Sequence, residues 1–357
     1  MKKRGNGFTS IHSKAVSALF LAAALSGCGA GAEGGESSDL PTTARGEAQQ
    51  GLTASCTPLC NGSCTKVQLA QSSGLDQPIL PVGKDVYFSG AITYEASYSY
   101  FGRASKQGGT GTVLAQNLLR PPTFHSNGTS AYALFRSPGS SGYGYLNELK
   151  QDGTLTPVQA FDSSRSASIA TVDATKLYAL ETRDETVWSM PLTGGAWTQV
   201  TGALPNVAGR SVRVDATHVY VVADDVAKNE SIIWKAPKQG LATPTRFAAI
   251  PGSIVSLTLD GTDLYFSDRT GGLYRVPKSG GAVAKLQSTA TDLSIAVDAE
   301  RYYWFNGPAL TATCKNGGGS QVLATVSTPQ TRTPDILAVD AEGVYWRNSS
   351  QVWKVAK

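Results

Sequence analysis

The sequence predicts an all-β fold, a ring of seven four-stranded sheets, and three observations predict it. A tyrosine following a turn recurs at Tyr87, Tyr132, Tyr178, Tyr220, Tyr265, Tyr303 and Tyr345, at spacings of 45, 46, 42, 45, 38 and 42 residues. Each tyrosine sits in the same grammar of strand, turn, strand, loop, strand, glycine turn, strand. The chain ends also complement each other. The last repeat stops after its third strand, at Val352–Lys357, and a spare strand, Lys66–Ala70, precedes the first repeat. Four short strands in about 40–45 residues is the period of a β-propeller blade. The expected ring is therefore seven-bladed and closed by a composite blade, with three strands from the C-terminus and one from the N-terminus. Such closure removes the exposed sheet edges that otherwise invite pairing with other chains. The alternative is six blades with one degenerate copy.

Within a repeat, the first strand is an alternating apolar run such as Ile295–Val297 or Leu337–Val339, and the second is β-branched and aromatic, as at Val344–Trp346. Both are strand signals. Five residues before the tyrosine stands Asp173, Asp215, Asp260, Asp298 or Asp340, replaced in the first two copies by Val82 and Asn127. An Asp or Asn there can accept backbone N–H bonds two residues on and so start the turn. We therefore read these aspartates as turn caps rather than calcium ligands. The third strand includes Val187-Trp188, Ile233-Trp234, Leu273-Tyr274 and Val352-Trp353, and runs into turns such as KQGG (106–109), LTGG (192–195) and KSGG (278–281). Glycine supplies the positive φ that these hairpins require. A short fourth strand follows, as at Ala282–Leu286 or Gln321–Leu323.

The segments IAVDAERYYW (295–304) and LAVDAEGVYW (337–346) resemble the YWTD-type propeller repeats of lipoprotein-receptor ectodomains. Those repeats carry Thr-Asp after Tyr-Trp, whereas Phe305-Asn306 and Arg347-Asn348 stand here. The likeness therefore concerns the repeat and implies no partner. A closer resemblance is to bacterial lipoproteins built from such repeats.

The lipoprotein resemblance rests on residues 1–28. Lys2, Lys3 and Arg4 precede an apolar stretch, Ala15–Leu25, that ends in Leu25-Ser26-Gly27-Cys28. The stretch is too short to span a bilayer as a helix. The segment resembles a lipoprotein signal with its lipobox, which implies lipid attachment at Cys28 and removal of residues 1–27. Attachment through two or more acyl chains is stable where a single chain is not. Gly29 after the cysteine implies the outer membrane in a two-membrane cell envelope. Residues 28–55, rich in Gly, Glu, Ser and Ala, are expected to form a flexible tether, and residues 56–357 the propeller.

All four charges of residues 1–27 are positive, which leaves 27 basic against 27 acidic residues in the rest of the chain. No basic stripe remains for nucleic acid. The membrane is expected to be met through the anchor alone, and the propeller to act as a monomer.

Four further cysteines, Cys56, Cys60, Cys64 and Cys314, are expected to form two disulfides, as befits an exported chain. The repeat register favours one bond from the 56–64 cluster to Cys314 and one within the cluster, without saying which cysteine takes which partner. A clip of this kind fastens the closing strand.

No catalytic constellation, metal site or cofactor motif is legible. His218 falls in a turn. His125 takes the inner-strand place held elsewhere by Thr171, Arg213, Thr258, Ala296 and Ala338, where it could face the central channel. Loops between second and third strands vary most and open on the face opposite the cysteines. They carry Tyr94, Tyr98 and Tyr100 in the first repeat, Asp224 and Asp225 in the fourth and Arg269 in the fifth. Loops on a rigid scaffold concentrate recognition, and exposed Tyr with Arg marks interfaces. Tyr94, Tyr98, His125, Asp224, Asp225 and Arg269 are the candidate ligand residues. The expected function is a non-catalytic binding or scaffolding module with a protein or glycan partner at that face. The alternative is a lyase or hydrolase at the channel mouth, which would need His125 and acids such as Asp224 within hydrogen-bond reach.

Overall fold

Seven antiparallel sheets of four strands each follow one another in the computed structural model. It describes residues 56–71, 78–91, 99–118, 122–135, 144–150, 152, 154–161, 169–205, 207–290, 293–326, 336–348 and 351–357. The signal segment, the tether, Cys28, Tyr94 and Tyr98 lie outside the described residues.

Blade 1 comprises Ile79–Val82, Asp85–Ala91, Ser99–Ser105 and Thr112–Leu118. Blade 2 comprises Thr123–Ser126, Ala131–Phe135, Gly144–Leu149 and Leu155–Phe161. Blade 3 has Ile169–Val172, Lys176–Glu181, Thr186–Pro191 and a two-residue outer strand, Thr198–Gln199. Blade 4 is the longest, with Ala208–Val214, His218–Asp225, Glu230–Pro237 and Thr245–Pro251. Blade 5 follows with Ile254–Leu259, Asp263–Asp268, Leu273–Pro277 and Ala284–Gln287, and blade 6 with Ala296–Val297, Arg301–Asn306, Ala309–Cys314 and Ser320–Thr325.

Blade 7 takes Leu337–Val339, Gly343–Asn348 and Gln351–Ala356 from the end of the chain and Lys66–Gln71 from its beginning. Lys66 pairs with Val355, Val67 with Lys354, Gln68 with Trp353 and Ala70 with Val352. The expected seven blades and composite closure are both observed.

The core is divided. Seven apolar clusters each fill one junction between consecutive blades, including the junction of blade 7 with blade 1, where Leu69, Val352 and Tyr345 meet Val86, Phe88 and Tyr100. Each sheet is therefore apolar on both faces, which explains runs such as VYVVA at 219–223, buried throughout. Tyr100, expected in a loop, belongs to the third strand of blade 1 and packs in that cluster. Its place beside Phe101 continues an apolar strand rather than ending one.

The turn between first and second strands behaves as the repeat implies. Asp173 Oδ1 accepts the N–H groups of Thr175 and Lys176, each at 2.8 Å, and Asp215, Asp260, Asp298 and Asp340 repeat the pattern. Asn127 does the same for Thr129 and Ser130. At Asp173, Asp215 and Asp298 the second carboxylate oxygen accepts the anchor tyrosine's hydroxyl, at 2.9 Å for Tyr178 and Tyr220 and 2.7 Å for Tyr303, whereas Tyr345 bonds Asp340 Oδ1 at 3.2 Å. The aspartate thus ties the turn to the buried ring five residues on.

Candidate functional site

Innermost strands surround a cavity of about 530 Å³, lined by Leu80, Thr123, His125, Thr171, Arg213 and Thr258 among others. His125 does face the channel. Its Nε2 lies 3.1 Å from the Thr123 hydroxyl. Desolvation first, then the nearby Arg213 charge, lower its pKa to about 3, so the imidazole is neutral at pH 7. Asp224 bonds Arg210 Nε and the Ser231 hydroxyl (2.7 Å) instead. The His125–Asp224 pairing that an acid–base site would need is not formed.

Asp224, Asp225 and Arg269 come together at the other candidate place, a depression of about 270 Å³ between the second-to-third strand turns of blades 4 and 5. A shallower one of about 460 Å³ lies toward blade 3, and Asp224, Asp225 and Val226 border both. The strands of blade 4 run on to Asp225 and resume at Glu230, so the expected loop is a tight turn, and both aspartates are buried.

Their carboxylates hold the turn. Asp225 accepts the Lys228 N–H (3.2 Å) and pairs with the Lys228 ammonium at 2.7 Å. Asp268 shapes the neighbouring turn by accepting N–H bonds from Thr270 (2.7 Å) and Gly272 (2.8 Å) and the Tyr274 hydroxyl (2.7 Å). Val226, between the two depressions, is 80% exposed. The acids therefore fix the shape of this face and leave an apolar tip standing on it.

The opposite face carries a feature that reading one repeat at a time misses. The residue directly after each third strand is Lys106, Lys150, Leu192, Lys238, Lys278, Lys315 or Lys357. Five of these lysines reach back to the turn aspartate of the preceding blade: Lys106 to Asp340 and Lys238 to Asp173 at 2.5 Å, Lys278 to Asp215 at 3.3 Å, Lys357 to Asp298 at 2.6 Å, and Lys315 to Asp260. Four of the ammoniums also sit 4.9–5.7 Å from an anchor tyrosine ring.

The two exceptions match their acceptors. Where the preceding blade offers Val82, Lys150 turns to Glu148 within its own blade. Where it offers neutral Asn127, the lysine is replaced by buried Leu192. Burial opposes ionisation of Asp173, but the Lys238 ammonium, two N–H groups and the Tyr178 hydroxyl outweigh it and hold the carboxyl at about 2. Asp260 and Asp298 are likewise held at about 2, and Asp215 is also lowered.

The cysteines lie on this same face. Cys56 and Cys314 are placed as one candidate disulfide, with Cα atoms 6.0 Å apart, and Cys60 and Cys64 as a second, 5.0 Å apart. Around them Arg301 donates to the Thr57 carbonyl, and Gln321 bonds the Leu59 N–H (2.9 Å) and carbonyl (3.1 Å). Among the described residues no group of three or more His, Cys, Asp or Glu is gathered to hold a metal ion.

No protein-family model matches the chain, and no curated protein matches it. Solved structures do. BamB from Moraxella catarrhalis is similar over 82% of this chain and 98% of its own, at 16% identity and a TM-score of 0.48. YCF48 from Cyanidioschyzon merolae is similar over 78% of this chain and 97% of its own, at 12% identity and a TM-score of 0.50. A puromycin hydrolase mutant complexed with PGG is similar over 77% of this chain and half of its own, at 16% identity and a TM-score of 0.56. The likeness to YCF48 and to the hydrolase is one of fold. At these identities site chemistry must come from this chain's own residues.

Proposed function

We propose that the chain is a lipid-anchored cell-envelope propeller that binds a protein or glycan with the face carrying Val226 and Arg269, without catalysing a reaction. The supporting observation is the pair of depressions on either side of Val226, whose walls are fixed by the internal bonds of Asp224, Asp225 and Asp268. A surface shaped before binding loses little ordering entropy when a partner arrives. An exposed apolar tip between two concavities is a suitable anchor for recognition. The balance of 27 basic and 27 acidic residues beyond residue 27 argues against a nucleic-acid partner. Attachment at Cys28 and display through residues 28–55 complete the reading, with the propeller itself monomeric and touching no lipid.

Two experiments test it. Cys28→Ala should release the protein from the membrane fraction, and unchanged fractionation would remove the anchor. Val226→Asp combined with Arg269→Glu should abolish co-purification of a partner with the lipidated protein while leaving its melting temperature unchanged. A partner retained at full yield would remove the loop face.

A further inference from the structure

At the inner-strand position paired with the anchor tyrosine, the seven blades carry Leu80, His125, Thr171, Arg213, Thr258, Ala296 and Ala338. The ring is uneven. Its polar members cluster on blades 2 to 5 and line the channel cavity, whereas blades 6 and 7 contribute only alanine. The cavity volume, about 530 Å³, falls within the rough range of 300–1,000 Å³ typical of small-molecule sites.

No described residue lining the cavity is acidic, and its two charged side chains are both arginines. Arg210 faces outward to Asp224 at the loop face. Arg213 stays on the wall, where Nη1 bonds the Ser211 hydroxyl (3.3 Å) and the Val212 carbonyl (3.0 Å), which fixes the direction of the guanidinium. Around it stand the hydroxyls of Thr123, Thr171 and Thr258 and the His125 imidazole, which is neutral at pH 7 and can bond a ligand without adding charge. A guanidinium presents N–H donors in a planar fork that matches carboxylate and phosphate oxygens. Hydroxyls supply both donors and acceptors for a hydroxylated body.

We propose that this cavity binds a small hydroxylated organic oxyanion, a carboxylate or a phosphate monoester, with Arg213 against the anionic group and Thr123, Thr171 and Thr258 against the hydroxyls. This site lies in the channel rather than on the rim at Val226. It does not rest on the membrane anchor or on a macromolecular partner.

The test is titration calorimetry on the propeller-bearing chain with glucuronate, glucose 6-phosphate and glucose as probes. Saturable binding of at least one acid, with none of glucose, is expected. The acid that binds assigns the anionic group as carboxylate or phosphate. Arg213→Gln should weaken binding by about tenfold or more, the loss of a charge-assisted hydrogen bond, with melting temperature retained. Thr258→Val serves as the second variant should Arg213→Gln fail to fold, and should weaken the same acid by roughly threefold to tenfold. Glucose binding as tightly as the acids would overturn the proposal. So would acid affinity unchanged in both variants, or no saturable binding of either acid at about 10 mM. Loss of the macromolecular partner in the Val226 and Arg269 variant, with acid binding intact, would show the two sites to be separate.

Discussion

Removing one lysine from the blade junctions should cost more than surface charges usually do. Lys238 is the clearest case, because its side chain is only 9% exposed and joins blade 4 to Asp173 of blade 3. The Asp173 carboxyl sits at about 2 against an ordinary 3.8, a gap worth about 2.5 kcal/mol at 1.36 kcal/mol per pH unit. Two N–H groups and the Tyr178 hydroxyl share in that figure, and Asp173 is partly exposed, so about 1 kcal/mol belongs to Lys238. Its ammonium also lies 4.9 Å from the Tyr178 ring centroid, a contact worth about 0.5–1 kcal/mol. Lys238→Met, which keeps most of the apolar stem, should therefore lower stability by about 1–2 kcal/mol in equilibrium urea unfolding.

The junction of blades 2 and 3 supplies the complementary experiment. Leu192→Lys alone should destabilise by about 1–3 kcal/mol, because it buries an ammonium opposite neutral Asn127. Adding Asn127→Asp should recover at least about 1 kcal/mol of that loss as coupling between the two positions. A Lys238→Met cost near zero together with absent coupling would refute the reasoning.

Further outcomes follow from the same structure. Since Asp173, Asp260 and Asp298 titrate near 2 when folded and near 3.8 when unfolded, the unfolded chain binds more protons between those values. Stability from these groups should be full above about pH 4 and fall as pH drops toward 2, with a shallower fall in Asp173→Asn, read from unfolding midpoints across pH. The His125 imidazole should remain neutral down to about pH 4 in an NMR titration of its ring protons, and a midpoint near 6.5 would contradict its desolvated setting. Gly271 has φ +90°, and a Cβ there would lie 2.3 Å from the Ala290 carbonyl oxygen, whereas Gly280, at φ +97°, opens on free space. Gly271→Ala should therefore lower the melting temperature well beyond Gly280→Ala. Breaking a Cys56–Cys314 bond, which would close a loop of 258 residues, should cost up to about 5 kcal/mol by loop entropy, measured by unfolding Cys56→Ser beside the oxidised protein.

Blade count and closure were legible because the repeat writes the same chemistry seven times. Asp173 or Asp298 sits five residues from its tyrosine, so the turn cap and the ring it holds lie in one short window. The lysine contacts were not legible in that window. Lys238 and Asp173 are 65 residues apart, and a lysine before a glycine turn looks like an ordinary solvated charge until the blades are set side by side. The signal was nonetheless present in two substitutions, Leu192 for lysine and Asn127 for aspartate, which fall at the same junction.

The candidate ligand residues fared differently. Asp224 and Asp225 carried the polar character of a loop, but strand pairing runs through both, and Arg210, from the adjacent inner strand, takes Asp224. His125 is where the register put it. Its neighbours Arg213, Thr171 and Thr258 became a site only once the inner strands were gathered around one cavity.

The claim at the centre of this account is that recognition occurs on the face bearing Val226 rather than on the face bearing the lysines and cysteines. A photo-cross-linking residue placed at Val226, or on the opposite face at Asn316, in the full-length protein within intact cells tests it directly. The account predicts one defined adduct from position 226 and none from position 316. An adduct from 316 alone, or the same adduct from both, would contradict it.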